Sequence, residues 1–291
     1  MSKKYKDFIN GKDFTNDDIE KILTTNGIEG EILNIQYRPF KKIFVKVADK
    51  NNKFCIIKIC LDTYSIELAK NESEGYVNLG KAHYKYFNLP EFRLIKSNEI
   101  MSISKIEFID GTKGDFFEFN KFYNFDNKNF YNLSTVNDYI ENIKLKIFKS
   151  KNIELPKNID NYLKKISNQK VTLEIPVTSA HGDFAHYNSI KTSKKNFIYD
   201  LEFFDPEKVL FYDFFHWHIM SYIFRVHKLN GWNFLITCSP AYFYLLKKYC
   251  FSKFIKNSSE LKKINIDLYL ELFLIEKMMY FLRELRLNNI R

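Results

Sequence analysis

Residues 181–202 constrain this chain more than any other stretch. They run His181-Gly182-Asp183-Phe184-Ala185-His186-Tyr187-Asn188, then a short basic spacer, then Phe197-Ile198-Tyr199-Asp200-Leu201-Glu202. Ser189 to Lys191 and Phe197 to Tyr199 read as two short strands, joined by a polar turn through Thr192, Ser193, Lys194, Lys195 and Asn196. Folding the chain at Lys194 sets Asn188 opposite Asp200, so an amide oxygen and a carboxylate converge at the open end of one hairpin. Such a pair suits a hard divalent cation that is also held by triphosphate oxygens. Asp183 lies in the turn that leads into the hairpin. From there its carboxylate can accept a hydrogen bond from an acceptor hydroxyl and aim that hydroxyl at a phosphorus, which makes the stretch read as a phosphoryl-transfer site.

Two plainer readings use the same residues. An aspartate in a turn commonly bonds local backbone. His181, Asp183, His186 and Asp200 also form a mixture that suits zinc or iron in a metal hydrolase. The hydrolase reading leaves the upstream half of the chain without a role.

The order His-Gly-Asp, four variable residues, Asn, then an apolar strand ending in Asp resembles the signature of the aminoglycoside and choline kinase families, small-molecule relatives of the protein kinases. The resemblance implies an α+β, bilobal protein-kinase-like fold, with a small mixed β-sheet and helix N-lobe and a larger, mainly helical C-lobe. The lobes would be residues 1–110, binding nucleotide, and residues 111–291, carrying catalysis and acceptor binding. It implies Asp183 as catalytic base, Asn188 and Asp200 as magnesium ligands, and His181 as a structural residue. ATP is the implied phosphate donor, with GTP also open.

A kinase of this kind also has a basic side chain on an N-lobe strand and an acidic partner on the next helix. Phe54-Cys55-Ile56-Ile57-Lys58-Ile59-Cys60 reads as an apolar strand interrupted by one lysine, and Ile66 to Leu79 has helical spacing with Glu72 and Glu74 inside it. The resemblance assigns Lys58 to the nucleotide phosphates and Glu72 as its ion-pair partner. The plain alternative is a lysine snorkelling from an edge strand beside a solvated helix. Leu94 to Lys96 and Ile100 to Ile106 read as a hairpin ending in Glu107-Phe108-Ile109-Asp110-Gly111, which resembles the hinge between kinase lobes. Glu107 and Ile109 are then candidates to pair with the base through main-chain atoms, and Ile106 to line its pocket. Gly111 alone would equally be an ordinary turn glycine.

One departure from the family concerns the loop that should cover the phosphates. Tyr37-Arg38-Pro39-Phe40-Lys41-Lys42 contains no glycine, and Pro39 removes an amide donor. Lys41 or Lys42 is the candidate to supply charge there instead.

Composition bounds the partners. A net charge of +10 favours anionic ones. Lysine is spread along the chain rather than clustered with aromatics, as whole-chain coding bias would leave it, which argues against nucleic acid. Nucleoside triphosphate, a phosphorylated sugar, a lipid-linked acceptor and peripheral contact with an acidic membrane face all fit the charge. No apolar signal segment follows Met1 and no apolar run is long enough to cross a bilayer, so a cytoplasmic enzyme is expected. Cys55, Cys60, Cys238 and Cys250 show no metal-pair spacing and are expected to be reduced core thiols.

The remaining landmarks are helical. A helix over Asn16 to Thr25 is expected, capped by Thr15 and stopped by Asn26-Gly27. Others are expected near Val136 to Phe148, Ile159 to Ile166, Val209 to Phe224, Trp232 to Phe254 and Ile266 to Leu287. Asp213, in a very apolar segment, needs donors, and the amides near His181 and Gly182 are the expected ones. Glu202 is open between the metal surroundings, the acceptor and nearby amides. His216, Trp217, His218, Trp232, Glu271, Glu276 and Glu284 are candidates for the acceptor wall. An aminoglycoside acceptor would need more acidic residues than a +10 chain offers, and choline an aromatic cage from Trp217, Trp232, Tyr222 and Tyr242. Asp200-Leu201-Glu202-Phe203-Phe204 followed by Tyr212-Asp213-Phe214-Phe215 resembles phosphotransferases of surface-polysaccharide assembly, which implies a sugar or glycan-precursor hydroxyl as acceptor. A nucleotide-binding pseudokinase is the non-enzyme alternative. Oligomeric state has no sequence signal.

Overall fold

Alternation of side chains along three central strands gives the first half of the chain a sheet with two chemically different faces. The computed structural model describes residues 15–38, 40–81, 87–113, 132–147, 155, 157–170, 173–217 and 265–289. Strands β1 (Glu31–Arg38), β2 (Lys42–Ala48), β3 (Phe54–Cys60), β4 (Phe92–Ser97) and β5 (Ser102–Glu107) pair antiparallel in the order β1-β2-β3-β5-β4. Ile43, Val45, Val47, Cys55, Ile57, Ile59 and Ile103 pack together on one face beneath Ile19 and Leu23 of helix α1 (Asn16–Thr25). The period of two then sends Lys42, Phe44, Ile56, Lys58 and Ser104 to the other face.

Helix α1 begins and ends where its residues dictate. The Asp18 amide donates to the Thr15 hydroxyl at 3.2 Å, and the Thr15 amide donates to the Asp18 carboxylate at 2.9 Å, a capping box. Gly27, at φ 68°, takes the left-handed conformation that stops it. Helix α2 (Thr63–Lys81) starts earlier than apolar spacing indicates. Asp62 and Ser65 exchange side-chain and backbone bonds at its N-terminus, and this cap lies outside the apolar repeat. Tyr76 of α2 stacks on Phe92 of β4, with ring centroids 4.3 Å apart and planes at 11°. A Cβ at Gly75 would lie 2.8 Å from the Leu201 Cβ and 2.9 Å from the Phe204 Cβ. Only glycine lets the helix backbone come this close to the segment that follows Asp200.

That segment leaves a small three-stranded sheet of order β10-β9-β6, built from β6 (Thr112–Lys113), β9 (Ser189–Lys191) and β10 (Asn196–Ile198). Gly111 belongs to it: a Cβ there would meet the Lys191 carbonyl oxygen at 2.6 Å, so close approach of β6 to β9 requires the glycine. The hairpin pairs one residue away from the sequence expectation. Ile198 pairs with Ser189 and Asn196 with Lys191, and the Tyr199 amide donates to the Asn188 carbonyl at 3.1 Å. Asn188 therefore stands beside Tyr199 rather than opposite Asp200. The cause is the tight turn, in which the Thr192 hydroxyl accepts from the Lys195 amide at 2.9 Å, leaving Asn196 to the strand. Asp200 itself has φ 65°, which turns the chain immediately after Tyr199.

The chain divides into two compact units, Met1–Glu118 with Asp183–Asp205, and Phe119–Gly182 with Pro206–Arg291. In the second unit β7 (Asn132–Thr135), β8 (Glu174–Ala180) and β11 (Asp205–Val209) form a sheet of order β11-β8-β7. Helices α3 (Val136–Ile147), α4 (Lys157–Gln169) and α5 (Ile266–Asn289) follow the expected apolar spacing. Val136, Tyr139, Ile140, Ile143 and Ile147 are the buried face of α3. The expectation of one helix from Val209 to Phe224 is corrected. Val209 ends a strand, Phe211 takes φ 71°, and the helix begins at 212. The stretch Trp232 to Phe254 lies outside the described residues. Among the described helices none is long and apolar enough to cross a membrane.

Replacing Gly75 with alanine forces its methyl group into Leu201 and Phe204. We expect Gly75→Ala to cost about 1–3 kcal/mol of stability, read as a lower midpoint in chemical denaturation, whereas Val77→Ala on the exposed side of the same helix leaves the midpoint nearly unchanged.

Candidate active site

Lys58 sits in the middle of the central strand and is 1% exposed, so the edge-strand snorkelling reading does not hold. A buried ammonium needs anionic partners. Its Nζ donates to Glu72 Oε2 at 2.7 Å, forms an ion pair with Glu202 Oε1, and lies 3.6 Å from Asp200 Oδ1. Glu72 is buried on α2 while Glu74, two residues on, is exposed. Helical geometry thus selects between the two glutamates. Glu202 also takes a second lysine, because Lys42 Nζ bonds its other oxygen, Oε2. Sequence reasoning left Glu202 undecided and noted Lys42 only as a candidate charge. The two-residue step from Asp200 and the even position of Lys42 on β2 were the available signals.

The electrostatics follow from burial and crowding. Burial acts to lower the Lys58 pKa, yet Glu72, Glu202 and Asp200 together hold it well above the ordinary lysine value. The Glu72 carboxyl is pushed up to about 7 by burial against the opposing pull of Lys58, with Asp200 and Glu202 adding like charge. Its Oε1 is buried with no hydrogen-bond donor among the described residues, which fits that direction. Asp200 is also raised, first by removal from bulk water and then by Glu202. Its side chain nonetheless keeps 38% exposure and opens the cluster to solvent. Burial would raise Glu202, but Lys58 and Lys42 pull it below the usual carboxylate range. Cys60, cross-strand from Lys42, has its thiol pushed up to about 12 by burial.

Asp183 is fixed as an acceptor. Asn188 Nδ2 donates to its carbonyl at 2.8 Å and to Oδ2 at 3.1 Å, and the Tyr187 hydroxyl donates to Oδ1 at 3.3 Å. Sequence reasoning missed Tyr187. The Tyr199 hydroxyl in turn bonds the Tyr187 carbonyl, so two tyrosines brace the loop. Because the Asn188 amide nitrogen is used on Asp183, its Oδ1 is the atom left for a cation. Asn188 and Asp200 therefore offer hard oxygen donors beside a cluster in which Lys42 and Lys58 face three carboxylates, Glu72, Asp200 and Glu202. That donor set fits a divalent cation that completes its shell with phosphate oxygens. Among the described residues no group of three or more His, Cys, Asp or Glu could hold a metal. In the second unit, the amides of His181 and Gly182 donate to Asp213 Oδ2 and Oδ1 at 2.7 and 2.9 Å, as expected for a buried carboxylate in an apolar segment. Lys277 Nζ donates to the Gly182 carbonyl at 2.9 Å.

At the end of strand β5 the Glu107 amide donates to the Glu91 carbonyl at 2.8 Å and the Phe108 amide to the Phe54 carbonyl at 3.2 Å. Any base contact through Glu107 is thereby limited to its carbonyl. Ile106 is buried between Ile56 and Phe92 in the strand register. Of the acceptor-wall candidates, Glu276 is corrected. It is fully buried, bonded by Lys208 and by the Tyr139 hydroxyl at 2.8 Å, an ionic knot inside the second unit. Glu271 accepts from the Tyr162 hydroxyl at 2.9 Å. His216 and Trp217 are buried. His218, Tyr222, Trp232, Tyr242 and the Glu284 side chain lie outside the described residues. A cavity of about 570 Å3 opens at the end of the α1-covered face of the sheet. It is lined by Glu29, Glu31 and Asp49 against Lys50, Arg93 and Lys105, a balanced set that does not select an anion.

No protein-family model matches the sequence, and no curated protein matches it significantly. Among solved structures the chain is similar to the aminoglycoside phosphotransferase APH(2'')-IIIa in its GDP and kanamycin complex. Identity is 10% over 93% of this chain and 92% of that chain, with a TM-score of 0.53. A weaker likeness, with a TM-score of 0.38 at 10% identity over 91% and 96% of the two chains, is to amicoumacin kinase hAmiN in complex with AMP-PNP, Ca2+ and Ami. The antiparallel N-terminal sheet, its buried Lys58–Glu72 pair and the hairpin after Asp183 thus sit in a protein whose α+β fold is the protein-kinase-like fold of that phosphotransferase.

Proposed function

We propose that this chain is a small-molecule kinase that transfers the γ-phosphate of ATP or GTP to a hydroxyl group. The observation that carries the reading is the buried Lys58, held by Glu72 and within 3.6 Å of Asp200, in the same unit as an Asp183 carboxylate oriented by Asn188 and Tyr187. Lys58 would bind the phosphates, with Glu72 fixing its position rather than adding stability. Asp183 would accept the proton of the acceptor hydroxyl as it attacks, its carboxylate already aligned by two donors. Glu107 and Ile109 would contact the base through main-chain atoms, with Ile106 against its face. Asn188 and Asp200 would hold magnesium, which when bound neutralises charge on the transferred group. In this reading residues 1–110 are the nucleotide lobe and 111–291 the catalytic and acceptor lobe, although residues 183–205 pack with the first unit.

For the acceptor we propose a sugar hydroxyl, free or in a glycan precursor of surface-polysaccharide assembly. The net charge of +10 supports this over a polycationic substrate. Kanamycin, bound by the phosphotransferase of similar fold, is the second acceptor class to test.

The test combines calorimetric titration with ATP and GTP, with and without magnesium, and nucleoside-diphosphate release across sugars, choline, ethanolamine and aminoglycosides. Magnesium-dependent binding with saccharide-dependent release supports the full reading. Turnover of other alcohols and no saccharide overturns the acceptor, and nucleotide binding with no transfer to any acceptor leaves a pseudokinase. Asp183→Asn is expected to bind nucleotide normally and lose about 100- to 10,000-fold in turnover. Retained turnover removes the base role. Lys58→Met is expected to lower nucleotide affinity with Glu72 left unpartnered, and an unchanged affinity refutes the phosphate contact.

A further inference from the structure

The ionic cluster contains more than the Lys58–Glu72 pair requires. Lys42, the first residue of β2, is 8% exposed, unusual for a lysine that directly follows a turn. It shares a sheet face with Lys58, whose cross-strand partner is Phe44, two residues further along β2. Both ammoniums converge on one carboxylate, Lys42 on Glu202 Oε2 and Lys58 on Glu202 Oε1. The two cations therefore stand one carboxylate apart, a spacing that the non-bridging oxygens of a phosphate chain also span.

The turn before Lys42 explains why a second cation would be needed. Phe40 and Lys41 both have positive φ, 61° and 48°, without glycine. The Phe40 ring packs edge-on against Tyr64 with centroids 5.0 Å apart, and the Leu61 amide donates to the Lys41 carbonyl at 3.2 Å. The turn is thus tied to the start of α2, and Pro39 contributes no amide. A backbone cradle for anions is poorly available there, whereas the ammonium of Lys42 already lies in the cluster that contains Asp200.

We propose that Lys42 and Lys58 form a two-ammonium clamp for the triphosphate, and that Glu202 is an internal competitor that occupies the clamp and must yield it. Glu202 is the carboxylate that contacts both lysines, so its displacement frees both at once. Lys42 is then a binding residue and Glu202 sets the affinity. This rests on the kinase reading for the identity of the ligand but not for the clamp.

The experiment measures binding of inorganic tripolyphosphate and of ATP by calorimetry in EDTA and in magnesium, for the full chain and its variants, with circular dichroism as the folding control. Lys42→Met is expected to weaken both ligands by about 10- to 100-fold, and Lys42→Arg to restore most of that loss, which a space-filling role would not need. Glu202→Gln is expected to tighten tripolyphosphate by roughly threefold or more in EDTA. The paired variant Lys42→Met/Glu202→Gln removes both charges and keeps the test open if Glu202→Gln alone fails to fold. It is expected to bind tripolyphosphate more weakly than the unaltered chain. Steady-state kinetics should show the nucleotide KM rising in Lys42→Met with the acceptor KM unchanged. Unchanged affinities in Lys42→Met overturn the clamp even if transfer is intact. Tripolyphosphate binding lost with Lys42, in a chain that transfers to no acceptor, upholds the clamp and overturns the kinase. A chain that binds neither ligand overturns both.

Discussion

A single buried ammonium organises the first unit. Lys58 lies in the strand with neighbours on both sides, where water cannot solvate it, so the fold has to bring it carboxylates. Glu72 arrives on a helix whose backbone reaches the Asp200 segment only because Gly75 has no side chain. Glu202 and Asp200 arrive on the chain leaving the β9–β10 hairpin, turned by the positive φ of Asp200. Desolvation makes these contacts poor contributors to stability and strict determinants of position. The sheet, α2 and the hairpin are in this sense arranged around one charge.

The second unit solves the same problem with different groups. Asp213 is buried in a run of aromatic residues and receives two backbone amides from His181 and Gly182. Glu276 is buried with Lys208 and two tyrosine hydroxyls. One carboxylate fixes a loop backbone and the other joins α3, β11 and α5. In both units polar groups taken into the interior are matched closely, and this pins segments that apolar packing alone would leave free to slide.

Legibility from sequence tracked how local the determining physics is. Helix α1 could be read to its ends because its capping box and its stopping glycine are neighbours in sequence. Periodicity places Lys58 on a strand and Glu72 with Glu74 on a helix, but the choice of Glu72 as partner comes from the resemblance to the kinase families, because the contact itself is tertiary. Strand β8 was not legible, since Pro176 stands inside it and argues against a strand, while its place in the sheet is set by Asn132–Thr135 and by the Leu210 amide on the Pro176 carbonyl. Val209 read as helix because its apolar run has no period until Phe211 breaks it. The Lys42–Glu202 contact spans 160 residues, and no local rule gives its partner. The hairpin register missed by one residue on Asn188 because a turn hydroxyl, that of Thr192, decides where pairing resumes.

Cys60 carries a consequence of a different kind. It lies on the lysine-bearing strand, cross-strand from Lys42, with its thiol pushed up to about 12 by burial. At neutral pH the thiolate fraction is then roughly one in 100,000, and the thiolate is the form that oxidants and alkylating reagents attack. Buried and protonated beside the lysines of the cluster, the Cys60 sulfur is a poor target for such reagents.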